Sequence, residues 1–320
     1  MRKLIALGLL AGVAALAALA AMPADAKVPG PNGRIAFARF DPVLDGSVTY
    51  TANPDGSQVK QLFIPGHSEA PRWSPDGSQI AVTAACTDGE ENCAVTIVDP
   101  DTGTFRQLKM ADPTLFTGCI VWSPDSRRLA CEGFGEPDPS RNGIYTIRSS
   151  DGGGLTRLTN AEGGDDNPLD YSPDGKQIVF GRFDVPNRPA SANSALFVVD
   201  VDGGGVRRIT PWGYSDNQGS WSPDGTKIAF EHLGSLFVVH PDGTGLAKIP
   251  LAIGSRSRAG DFAWSPDGSR IVFLLFTRTG PRSFQEGIAT ANADGSNVKR
   301  VTNSPTFDHQ ADWGPHPLIP

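Results

Sequence analysis

Trp73-Ser74-Pro75-Asp76-Gly77, followed by the short apolar run Ser78-Gln79-Ile80-Ala81-Val82, decides the fold because it comes back along the whole chain. W-S-P-D-S stands at Trp122, Y-S-P-D-G at Tyr171, W-S-P-D-G at Trp221 and Trp264, and a worn W-G-P-H-P at Trp313. A headless copy runs from Pro31 to Phe37. The aromatics are 49, 49, 50, 43 and 49 residues apart, and self-similarity at such a period marks a propeller or solenoid.

Each repeat reads as strands joined by tight turns. In Ser-Pro-Asp-Gly the Pro presets φ, Asp tolerates the next position and Gly supplies the positive φ that closes a hairpin. The runs after it, Ile80-Ala81-Val82, Ile178-Val179-Phe180 and Ile228-Ala229-Phe230, are β-branched and aromatic, as central strands prefer. A third strand such as Leu196-Phe197-Val198-Val199 ends in an Asp-Gly turn, and a fourth alternates, as in Val206-Arg207-Arg208-Ile209-Thr210. Alternation leaves one face wet. An aromatic that recurs in every repeat is a wedge between neighbouring units rather than a site. Five repeats are complete, the stretch at Trp313 holds a first strand only, and Arg34 to Phe63 holds the other three. One plus three makes a sixth unit. The expectation is an all-β, six-bladed β-propeller closed by pairing its C-terminal strand with the strands near Arg34 to Phe40, which removes the open sheet edge.

Met1-Arg2-Lys3, the apolar run Leu4 to Ala21 and Ala24-Asp25-Ala26 match a secretory signal peptide. Residues 1–26 are therefore expected to be cleaved after Ala26, leaving one propeller domain over 27–320 in the periplasm or outside the cell, with no stable membrane insertion. A net charge of −7 argues against nucleic acid and anionic membrane surfaces as partners. The four cysteines suit an oxidising compartment, and local pairing, Cys86 with Cys93 and Cys119 with Cys131, is the simplest geometry. Their spacings of 7 and 12 residues do not resemble a zinc pair. Two long loops, Phe183 to Asn193 and Phe276 to Gln285, read as surface insertions.

No nucleophile elbow, H-E-x-x-H helix, phosphate loop or dinucleotide fingerprint is present. The candidate site lies instead in the residues that precede each aromatic, where the innermost strand would begin at one mouth of an axial channel. Glu69, Asp166, Asn167, Asp216, Asn217, Asp308 and His309 would gather there. Glu69, Asp166, Asp216 and Asp308 could hold a divalent cation such as Ca2+, since hard cations want converging oxygens; the alternative is carboxylates capping loop N–H groups. Two matching arginines, Arg39 and Arg182, are expected to pair with Asp41 and Asp184, which follow them.

The W-S-P-D-G-x-x-I-A-F repeats with their D-G tails, over residues 31 to 314, resemble the TolB-like, WD-type propeller repeat of exported bacterial proteins. Similar repeats occur in TolB, in the propellers of prolyl-oligopeptidase-like peptidases and in sugar-acid lyases, so the resemblance implies the fold and leaves the activity open. The peptidases carry their nucleophile on a separate hydrolase domain, for which no matching stretch is seen. Two functions are expected to compete. One is a non-catalytic, monomeric scaffold that binds a protein or peptide in the cell envelope. The other is a small-molecule, lactonase-like hydrolase or lyase working through a channel-bound cation.

Overall fold

The computed structural model describes residues 30–84, 93–112, 114–135, 138–161, 164–183, 194–214 and 218–320. The leader at 1–26, Cys86, Asp184, Asp216 and Asn217 lie outside the described residues, as does the side chain of Cys93. Six antiparallel sheets follow one another along the chain. The first blade is β4 (Ser68–Trp73), β5 (Ile80–Ala84), β6 (Cys93–Val98) and β7 (Phe105–Lys109). The second starts on β8 (Leu115–Trp122) and β9 (Arg128–Gly135), and the third on β12 (Asp165–Tyr171) and β13 (Gln177–Phe183). In the fourth, β16 (Gly219–Trp221) precedes β17 (Ile228–His232) and β18 (Ser235–Val239). The fifth runs from β20 (Ser257–Trp264) through β21 (Arg270–Arg278), with β22 (Phe284–Gln285) added beside β21 as a fifth strand beyond the expected four.

The sixth sheet closes the ring. Its order is β25 (Asp308–Trp313), β1 (Ile35–Asp41), β2 (Gly46–Ala52) and β3 (Lys60–Gln61), and Ile35 lies opposite Trp313 while Arg39 lies opposite Asp308. The chain is thus the six-bladed propeller that its repeats describe, with ends that pair. Residues after Trp313 lengthen the clasp. The His316 ring stacks on Trp73 at 5.0 Å, its Nδ1 donates to Gly77 O at 2.8 Å, and Asn53 and Ile319 exchange hydrogen bonds.

Ser-Pro-Asp-Gly, with Ser126 in place of the glycine in the second blade, makes the same turn in the first five blades. In the first blade Gly77 has φ +73° and its N–H donates to Ser74 O, 2.8 Å away. Asp76 Oδ1 accepts from Ser74 Oγ at 2.6 Å and from the N–H of Ser78 at 2.9 Å. The aromatic that opens the motif lies between blades. Trp122 Nε1 donates to Arg72 O of the first blade at 3.1 Å, and Trp264 Nε1 to Ser220 O of the fourth at 3.3 Å. Accordingly the core fills the seams: Val121, Ala130 and Ile144 of the second blade pack with Ile178 and Phe180 of the third. Cys119 and Cys131 face each other across β8 and β9 and form the disulfide expected between them.

Candidate functional site in the axial channel

The innermost strands β4, β8, β12, β16, β20 and β25 surround the axis, and each ends in its aromatic just before a turn on what we term the lower face. They begin on the upper face, where the hairpins of the second and third strands also lie. Inner strands in close array cannot all stay regular. Register shifts interrupt β4, β8, β12, β20 and β25 about halfway, and such bulges re-aim side chains and backbone groups. At the bulge Ala70, Asp261 and Gln310 take positive φ, at 49°, 45° and 53°. This conformation costs a non-glycine residue energy that its surroundings must offset.

What offsets it here is a belt of hydrogen bonds through four successive blades. Gln218 Nε2 donates to Asp261 Oδ1, the N–H of Gln310 to Asp261 Oδ2 at 3.1 Å, and the N–H of Ala70 to Gln310 Oε1 at 2.9 Å. One residue before the aromatic, two aspartates tie blades together. Asp312 accepts from Trp73 N at 2.7 Å, and Asp170 from Trp221 N at 2.9 Å and Ser220 Oγ at 3.0 Å. These residues recur at fixed positions, three and one before the aromatic, but their type varies between repeats; sequence reading passed over them, and only the ring shows which of them bond.

From this belt toward the lower face the channel encloses a cavity of about 310 Å³. Its polar lining includes Arg72, Asn167, Gln218 and Gln310, and its apolar lining includes Ile120, Leu169 and Phe262. Arg72 is the one cation among the described lining residues, and its guanidinium donates only to Pro71 O, at 3.0 Å, among the described groups. A small pocket with a few convergent polar groups on apolar walls is the usual form of a ligand site.

The carboxylates expected at the channel mouth are arranged differently from an open acidic ring. Asp166 is 1% exposed and takes two hydrogen bonds from Arg182, at 2.6 and 2.9 Å. Asp308 is fully buried and takes the same pair from Arg39, at 2.6 and 3.0 Å. The expected pair of Arg39 with Asp41 is therefore corrected, while that of Arg182 with Asp184 lies outside the described residues: each arginine reaches across the ladder to the inner strand, because register places it directly opposite that aspartate. Asp41 instead caps its own hairpin, accepting from Val43 N at 2.8 Å. Burial alone would lower the Arg39 guanidinium; the hydrogen bond and charge of Asp308 overturn this and raise it. Glu69 is half-buried opposite Thr83, Asn167 lines the cavity, and His309 Nε2 lies 2.9 Å from Ser47 Oγ.

Divalent cations need several free oxygens at one point. Two of the four candidate carboxylates are bound to arginine, and no group of three or more His, Cys, Asp or Glu converges among the described residues. The described part of the ring does not fit a metal. One carboxyl that the repeat pattern did not single out has unusual chemistry. Glu132 on β9 faces Gly118 in the middle of β8, and burial, then the charges of Asp165 and Asp166, push it up to about 7. It is protonated in good part at neutral pH.

No protein-family model matches the chain. It is 30% identical over 217 residues to the uncharacterized protein Atu1656 of Agrobacterium fabrum, covering 63% of this chain and 68% of that protein. It is 26% identical over 216 residues to the uncharacterized peptidase YuxL of Bacillus subtilis, but spans only 28% of its length. Among solved structures, TolB from Acinetobacter baumannii superposes with a TM-score of 0.66 at 23% identity, over 88% of this chain and 66% of that one. With ring, seams and closure in place, the chain belongs to the family of Atu1656 and is a TolB-like six-bladed propeller.

Proposed function

We propose that the protein is an exported, non-catalytic propeller whose axial channel receives a short segment of a protein or peptide partner in the cell envelope. The observation that carries this reading is Arg72, a guanidinium with no carboxylate partner among the described residues, set in a cavity whose other polar groups are neutral amides and tied aspartates. A planar, permanently charged fork in a partly dry pocket suits a carboxylate, from an acidic side chain or a chain terminus. The Cys119–Cys131 disulfide supports an oxidising location. Selecting peptides from a random library on the immobilised protein tests it. Peptides that converge on a carboxylate, and lose about tenfold or more in affinity for Arg72→Ala, are expected. Selection of nothing above background, or of peptides indifferent to Arg72→Ala, would overturn the reading.

Glu132 favours a second reading, an enzyme of the hydrolase or lyase class, because a carboxyl poised near 7 is what general acid–base work needs. Turnover of lactones or unsaturated uronides that follows a group titrating near 7, and is lost in Glu132→Gln, would establish it. The cation of that scheme would have to be held by residues other than Asp166 and Asp308.

A further inference from the structure

We infer that the upper face carries a second docking surface, separate from the channel, on a shelf between the fourth and fifth blades that takes an acidic protein segment with interspersed apolar residues. The shelf exists because the fifth blade stands tall. β21 is nine residues long, and β20 and β22 pair with its far end, Ser257 opposite Thr277 and Thr277 opposite Gln285.

Side chains alternate across a strand, and here the alternation separates two chemistries. One side carries Ser257, Thr277 and Gln285, with Ser257 Oγ and Thr277 Oγ1 hydrogen-bonded at 3.0 Å. Toward the other side point Arg258 and Phe276, which are register partners, Arg278 and Phe284, which are also partners, and Arg256, whose carbonyl accepts from Arg278 N at 3.0 Å. Phe276 and Phe284 pack ring to ring at 4.8 Å. Arg282 lies exposed in the same hairpin.

The fourth blade completes the shelf: its β17–β18 turn rests against Arg258, with the Cβ position of Gly234 3.0 Å from Arg258 Cδ. The turn holds Leu233, 80% exposed. Phe284 is 52% exposed.

Stability does not account for this arrangement. None of the four arginines makes an ion pair among the described residues, and the Arg278 guanidinium donates only to Gly280 O and Pro281 O of its own turn. Glu286, the carboxylate of the same hairpin, is half-buried and bridges to none of them. Like charges side by side on a ladder are unfavourable, and here the backbone bond from Arg278 N to Arg256 O sets two arginines next to each other at the ladder's end, in a chain whose net charge is −7. Unpaired arginines among exposed apolar side chains are the composition of a binding surface. The charge specifies an anionic occupant. Exposed Leu233, in the turn against Arg258, and exposed Phe284, opposite Arg278, ask for apolar side chains between the acids, as an extended peptide supplies.

The test is fluorescence anisotropy of the full chain with a labelled peptide alternating Glu and Phe. A Lys/Phe peptide and phosphatidylglycerol vesicles serve as comparison arms. Saturable binding of the Glu/Phe peptide alone is expected, weakening with added salt as screening requires, and falling about tenfold or more in Arg258→Glu with Arg282→Glu. The milder Arg258→Gln with Arg282→Gln should fall less, and Arg72→Ala should leave this binding unchanged. Binding that survives both charge variants, equal binding of the Lys/Phe peptide, vesicle binding without peptide binding, or loss in Arg72→Ala would each overturn the proposal. Failure here leaves the channel reading untouched, since that reading rests on Arg72.

Discussion

Glu132 shows how one residue's environment sets its chemistry. Its carboxyl would titrate near 4.5 in the unfolded chain and is held up at about 7 in the fold, so between those values the native state binds the extra proton. Stability contributed by the neutral form is whole below pH 4.5 and is lost as pH rises through 7. Unfolding measured from pH 4.5 to 8 should show a loss of about 3 kcal/mol from this group, and Glu132→Gln should flatten that part of the curve. A mutant curve parallel to wild type would mean that Glu132 ionises freely. The turn aspartates work in the opposite sense. Burial raises Asp76 and Asp224, but hydrogen bonds from Ser74 and Ser222 outweigh it and lower both. Their stabilisation is present above the ordinary aspartate range and is lost only as pH falls through their lowered values.

Paired strands explain why two aspartates of the predicted ring are not available to a ligand. Asp166 on β12 and Arg182 on β13 share one register position and one buried environment, and Asp308 on β25 with Arg39 on β1 repeats the arrangement in the closing blade. Arg182 also sits over Phe197 at 5.1 Å and Arg39 over Tyr50 at 4.7 Å, which adds cation–π attraction. Removing one member of such a pair strands a charge in the interior. Asp166→Ala should cost about 3 kcal/mol in chemical denaturation, and adding Arg182→Met should recover much of it. A loss below about 1 kcal/mol would place the pair among solvent-screened bridges. The pairing was half legible: both arginines stand at one repeat position, but the aspartates opposite them lie in another strand, and for Arg39 sequence proximity pointed to Asp41 instead.

For the whole molecule, everything depends on closure. Trp313 is fully buried, donates to Gly33 O at 2.9 Å and packs with Ile35, Phe37 and Val272. Deleting residues 305–320 should expose an unpaired edge and an apolar seam, giving an aggregating protein or one with a sharply lower Tm; Trp313→Ala should cost about 3–5 kcal/mol. A truncated chain as soluble and heat-stable as the parent would contradict ring closure. The sequence by itself determined the strand order, the turns, the six-blade count and the Cys119–Cys131 bridge. Each of these is local or periodic: a turn is specified by its own four residues, and a repeat announces itself by recurrence. Only the tertiary structure decided what fills the axis. Gln218, Asp261, Gln310 and Ala70 come from four different repeats and are joined by hydrogen bonds across them. The arginine shelf likewise needs the register of β20 on β21 and the nearness of a neighbouring blade. The four belt residues share one repeat position, three before the aromatic, but the residue type there changes from blade to blade, so the pattern marks the place and not the bonds, whose chemistry arises when ring closure brings distant strands side by side.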